Sequence, residues 1–138
     1  MDENGKHLLI DLYTNENILN NSDILCGIMI RCIELSGNTM LKTIRHKFEP
    51  QGLSCVALLK ESHMSIHTYP ERNYVAMDLY TCGNGDPMEA LDYIVSFLKP
   101  YRYTVTAIAR GSDTKIIYFD SYENITYDFE VDELESNH

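Results

Sequence analysis

Lys60-Glu61-Ser62-His63-Met64-Ser65-Ile66-His67-Thr68-Tyr69-Pro70-Glu71 is the stretch whose reading decides the fold. Taken as a strand, its side chains alternate between two faces. Met64 and Ile66 fall on one face, and His63, Ser65, His67, Tyr69 and Glu71 on the other. The apolar set asks for a covered face. The opposite face carries two imidazoles, a hydroxyl, a phenol and a carboxylate, which suits either an edge strand facing water or a reactive surface.

Working outward, Ser54 to Leu59 is β-prone and leads into this stretch, and Tyr74 to Thr81 returns from it with Val75, Met77 and Leu79 on one face. A hairpin turning around residues 71–73 brings Cys82 to within a residue or so of Ser62 or His63, on the polar face. Further out, His7 to Tyr13 reads as a buried strand, Met40 to Phe48 as a second and Tyr103 to Ala109 as another, with a short edge strand at Ile116 to Phe119. Ser22-Asp23 opens a helix with Leu25, Ile28, Met29 and Cys32 at helical spacing, and Gly37-Asn38 stops it. Asp86-Pro87-Met88-Glu89 opens a second helix, striped by Met88, Leu91, Val95 and Leu98 and ended by Pro100. Two helices among five or six strands predict an α+β two-layer sandwich: a largely antiparallel sheet with both helices on one face. The other face, bearing His63, His67 and Cys82, is left for a partner, and homodimerisation is the expectation.

The chain of 138 residues is expected to form one domain spanning 1–138. Its net charge of −10 argues against nucleic acid, whose phosphates require clustered Lys and Arg. Residues 111–138 hold eight Asp or Glu against one Lys, and this acidic tail is expected to be solvated and frayed. There is no apolar run of the ~18 residues that a membrane span needs. The N-terminus lacks the basic-then-apolar order of a signal peptide, so the expected location is the cytoplasm. Cys26, Cys32, Cys55 and Cys82 show no zinc spacing. In that compartment they are expected to be free thiols, the first three in the core and Cys82 where a strand gives way to a loop. A metal site built from His63, His67 and Cys82 is weighed and set aside.

By themselves, Ser62, His67, Ser54 and Cys82 suggest a nucleophile, a base and an acid without fixing which is which. Four motifs sharpen this: Gly5-Lys6-His7-Leu8, Pro50-x-Gly52-x-Ser54, Glu61-Ser62-His63-x-Ser65-Ile66-His67-Thr68-x-Pro70-Glu71 and Asp78-x-x-Thr81-Cys82-Gly83. Over roughly residues 5–110 the chain resembles the short, prokaryotic type of S-adenosylmethionine decarboxylase proenzyme, a pyruvoyl-dependent family. The resemblance implies self-cleavage between Glu61 and Ser62 into chains 1–61 and 62–138, with Ser62 becoming a covalent pyruvoyl group that binds substrate as a Schiff base. It implies His67 as base, Ser54 in support of processing and Cys82 as proton donor, a role that suits a thiol, mostly protonated at neutral pH. It further implies that Phe48 and Tyr69 sandwich the adenine, that Glu71 holds the ribose hydroxyls, and that the protein is a homodimer feeding spermidine synthesis. The chain departs from the family at Tyr69, commonly tryptophan, and at Cys55, where glycine is frequent. Its Cys82–Pro87 loop is a residue shorter, and its acidic tail has no clear counterpart. Ornithine or arginine as substrate, and a non-catalytic binding partner, are the competing readings.

Overall fold

Alternation of buried and exposed side chains builds the sheet, and in the computed structural model, which describes residues 4–83 and 85–124, that alternation runs through five of seven strands. The elements in chain order are β1 (Gly5–Tyr13), α1 (Ser22–Leu35), β2 (Met40–Lys47), β3 (Leu53–Leu59), β4 (Ser62–Tyr69), a 3₁₀ turn (Pro70–Arg72), β5 (Tyr74–Cys82), α2 (Met88–Leu98), β6 (Arg102–Arg110) and β7 (Lys115–Glu123). All neighbours pair antiparallel, in the order β2-β3-β4-β5-β1-β6-β7. The first strand therefore sits inside the sheet between β5 and β6, so that its nine residues are flanked on both sides.

One face is covered. Leu8, Ile10 and Leu12 of β1, Met64 and Ile66 of β4, and Val75, Met77 and Leu79 of β5 form a single core with Leu25, Ile28, Met29, Cys32 and Ile33 of α1 and Ala90, Leu91, Ile94 and Leu98 of α2. Burying each such aliphatic side chain contributes roughly 1.5–3 kcal/mol. The helices begin where side chains satisfy their first amides: Asn21 Oδ1 accepts from the Ile24 amide at 3.1 Å, and Asp86 Oδ1 from that of Met88 at 3.0 Å. Asn21, not Ser22, thus caps α1. Lys99, in the left-handed region, ends α2 just before Pro100.

Three expectations change. The edge strand at Ile116 to Phe119 extends over Lys115–Glu123, so these residues of the acidic tail are strand; residues 125–138 lie outside the described residues. Seven strands form where five or six were expected. Glu71 is not a strand residue, because Pro70 removes a ladder donor and the chain enters a 3₁₀ turn that Asn73 closes in the left-handed region, yet it lines the same cleft as His67 and Tyr69.

The uncovered face carries Leu9, Ile44, Val56, Leu58 and Phe119, all exposed, alongside the polar residues of β4 and β5. Among the described residues no helix is long and apolar enough to cross a membrane.

Candidate active site

The β3–β4 connection is a two-residue turn, since Leu59 pairs with Ser62 and only Lys60 and Glu61 intervene. Glu61 takes φ +67°, a left-handed conformation that costs a non-glycine residue about 1 kcal/mol or more. Ser62 follows the buried alternation of Met64 and Ile66 and is 6% exposed. Its Oγ accepts from the Cys82 amide at 3.2 Å, and the Cys82 thiol donates to the Glu61 carbonyl at 3.0 Å. The expected hairpin register produces this: His63 faces Tyr80, leaving Cys82 at the turn. A serine hydroxyl is thus held beside the peptide bond that precedes it, and that bond's carbonyl receives a donor.

A second group forms at the far end of the same strands. Ser54 faces His67, and their side chains share a hydrogen bond of 2.7 Å between Oγ and Nδ1. Phe48, Gln51, Leu53, Ser54, His67, Thr68, Tyr69 and Glu71 line a cleft of about 230 Å³. Phe48 in this lining is half exposed, and Gln51 Nε2 donates to Glu71 at 3.5 Å. The Arg72 guanidinium lies 4.7 Å from the Tyr69 ring centroid, and Tyr74 stacks on Tyr69 at 5.4 Å. Thr68 anchors the cleft from below, accepting from the Leu53 amide at 3.1 Å and donating to Leu19 O at 2.7 Å.

The structure does not bring the two groups together within one chain. Ser62 and His67 are five residues apart on one strand, about 16 Å at ~3.3 Å per residue. His63, His67 and Cys82 do not converge either.

Between the two groups lies a polar network that the sequence pattern contained but did not interpret. Asp78 accepts from His7 Nε2 at 2.6 Å, from His63 Nε2 at 3.2 Å and from the Ser65 hydroxyl. Burial would raise the Asp78 carboxyl; the hydrogen bonds from Ser65, His7 and His63 outweigh it and hold the group below its ordinary value. The His7, His63 and Asp78 ligand atoms lie within 4.8 Å of one another, a spacing that also suits a cation. Arg110 decides between the two. Its guanidinium stands 3.4 Å from His7 Nδ1 and can only donate, so Nδ1 accepts and Nε2 carries the proton towards Asp78. A ligating histidine needs the reverse arrangement. His7 and Asp78 lie in the quoted motifs; two polar residues inside otherwise apolar strands were the available signal.

The buried thiols are unreactive by environment: burial pushes Cys32 up to about 12 and Cys55 up to about 11.

Comparison with known proteins is consistent with this geometry. The family model for S-adenosylmethionine decarboxylase matches residues 6–111. An S-adenosylmethionine decarboxylase proenzyme of Brevibacillus brevis is 43% identical over 109 residues, covering 78% of this chain and 82% of its own. One from a Thermoanaerobacter species is 36% identical over 124 residues, 88% of this chain and all of its own. The crystal structure of the adenosylmethionine decarboxylase from Aquifex aeolicus superposes with a TM-score of 0.72 at 31% identity, over 82% of this chain and 95% of that one. The crystal structure of a Trypanosoma brucei AdoMetDC monomer shares the fold, with a TM-score of 0.57 at 15% identity over 75% of this chain and 45% of that one.

Proposed function

Because the chain belongs to the S-adenosylmethionine decarboxylase family, we propose that it is a proenzyme that cuts itself between Glu61 and Ser62 and then decarboxylates S-adenosylmethionine for spermidine synthesis. The observation that carries this reading is the Glu61–Ser62 turn. A buried serine hydroxyl is held by the Cys82 amide, the carbonyl it must attack receives the Cys82 thiol, and Glu61 is strained.

In the first step Ser62 Oγ attacks the Glu61 carbonyl carbon and the C–N bond breaks, leaving an ester and a free Ser62 amine. A base then takes the Ser62 Cα proton, the Cβ–Oγ bond breaks, and chain 1–61 leaves as a carboxylate. The remaining enamine takes up water and loses ammonia, which leaves a pyruvoyl group at the start of chain 62–138. When in place, that group supplies a ketone carbonyl to receive the substrate's amine and an acceptor for the electron pair freed with carbon dioxide, as pyridoxal phosphate does elsewhere. Cys82 holds a proton at Sγ next to this position, where it can return one to the substrate's α-carbon.

His67 is the base, with Ser54 fixing its ring. One chain cannot bring His67 to its own Ser62, so the site is completed by a second copy. Each protomer supplies Ser62 and Cys82 to one site and Ser54, His67, Phe48, Tyr69 and Glu71 to the other. The exposed apolar residues of the uncovered face support this homodimer. Phe48 and Tyr69 sandwich the adenine and Glu71 accepts from the ribose hydroxyls. Two aromatic rings beside one carboxylate in the cleft lining suit a nucleoside better than ornithine or arginine.

Intact mass under denaturing conditions tests the cleavage. Chains 1–61 and 62–138, the latter with a ketone at its N-terminus, are expected; a single full-length mass that persists on incubation contradicts the reading. Release of labelled carbon dioxide from S-adenosylmethionine, and not from ornithine or arginine, tests the substrate.

A further inference from the structure

We propose that Tyr80 is a positioning residue for Cys82: its phenol donates to the Cys82 sulfur and thereby aims the thiol proton at the Glu61 carbonyl. The proposal deepens the reading just given and rests on it. Tyr80 and Cys82 are two residues apart on β5 and share its uncovered face. The phenol oxygen stands over Gly5, whose partner across the β1–β5 ladder is Cys82, so the hydroxyl lies beside the thiol; the interaction with Cys82, followed by burial, pushes the phenol above its ordinary value. The thiol in turn donates to Glu61 O at 3.0 Å. Donation runs in one direction, from phenol to sulfur to scissile carbonyl.

The sheet is built to hold the ring in this pose. Gly5 pairs with Cys82 on one side and with Arg110 on the other, forming a floor between thiol and guanidinium. A methyl group on Gly5 would stand 2.5 Å from the Tyr80 Oη, 2.6 Å from Cε1 and 2.7 Å from Cζ, so the phenol occupies the space a side chain would need. The Arg110 guanidinium lies 4.7 Å from the ring centroid, and His7 and His63 flank it at 5.5 and 5.7 Å. Residues from three strands thus fix a ring whose polar tip reaches Cys82. A phenylalanine would fill the same space and leave the sulfur without its donor. The same contact serves both steps assigned to Cys82: polarising the carbonyl before cleavage, and receiving the phenol's hydrogen bond once the sulfur has given up its proton in turnover.

A double-mutant cycle of Tyr80→Phe and Cys82→Ala separates positioning from packing. Cleavage is followed by intact mass from freshly refolded precursor, and kcat and KM are measured on the processed fraction. Tyr80→Phe is expected to slow cleavage and lower kcat by about 3- to 10-fold, the loss of one hydrogen bond, with KM unchanged. In the Cys82→Ala background the same substitution is expected to change neither. Gly5→Ala, which displaces the phenol without touching it chemically, should reproduce the slow cleavage in the parent chain and have no such effect in Cys82→Ala. Equal losses in both backgrounds, or no loss from Tyr80→Phe beside a slow Cys82→Ala, would overturn the positioning role alone. A Cys82→Ala chain that cuts and turns over normally would overturn the underlying reading of Cys82 as well.

Discussion

The two ends of β4 carry different chemical groups, which the proposed mechanism joins between copies. At Ser62 there is a strained turn, a buried hydroxyl and a carbonyl that accepts from Cys82, with His67 of the same chain five residues away along the strand. At His67 there is an imidazole hydrogen-bonded to Ser54 and a cleft lined by Phe48 and Tyr69, and this is the end proposed to supply the base. Strand geometry makes the separation rigid, because five residues of extended backbone cannot fold back on themselves. The lesson is that a motif contiguous in sequence need not be one site in space.

Substitutions at each end test that division. The largest effect is expected from Ser62→Ala, which removes the attacking oxygen: cleavage should be abolished and intact mass should show only the full-length chain. Tyr69→Ala comes next. Base–aromatic stacking contributes about 1–3 kcal/mol, so kcat/KM for S-adenosylmethionine should fall by roughly 5- to 150-fold while cleavage proceeds at its usual rate. Fragment analysis alongside steady-state kinetics reads both, and slowed cleavage would blur the distinction between the two ends.

Asp78, midway between them, should affect stability before chemistry. Asp78→Asn weakens acceptance from His7, His63 and Ser65, and thermal or urea melts of the uncleaved chain should show a loss of about 1–3 kcal/mol. Because the folded state holds this carboxyl below its unfolded value, its contribution is complete above the ordinary carboxylate pKa of about 3.9 and is lost as pH falls from there through the lower folded value. Melts of parent and Asp78→Asn chains should therefore converge on acidification, and parallel curves would contradict the assignment. The smallest effect belongs to the turn itself: Glu61→Gly relieves the left-handed residue and should stabilise the precursor by about 0.5–1 kcal/mol in the same melts.

Much of this was legible in the sequence because it is local. Alternation through Met64 and Ile66, and the turn at Pro70 to Asn73, set the β4–β5 register that puts Cys82 beside Ser62. What escaped is non-local. The insertion of β1 between β5 and β6 brings Gly5, His7, Tyr80 and Arg110 together across a hundred residues, which no spacing rule anticipates. The pairing of Ser54 with His67 comes from the β3–β4 register, which was not read from the sequence, and their distance from Ser62 was obscured by the density of reactive residues in one short segment. Glu71 was read as strand because alternation was carried one residue past the proline that ends it, though it does line the cleft with His67 and Tyr69.

The most direct test of the divided site uses two cripples in one cell. Ser62→Ala and His67→Ala chains, each unable to process when expressed alone, are co-expressed with distinguishable masses, and the fragments are weighed. The account predicts that mixed dimers cut the His67→Ala chain at Glu61–Ser62, because the other chain supplies an intact His67, and that the Ser62→Ala chain stays whole. If neither chain is cut in isolated mixed dimers, or if the His67→Ala chain alone cuts at the parent rate, the two ends of β4 do not complete each other between copies.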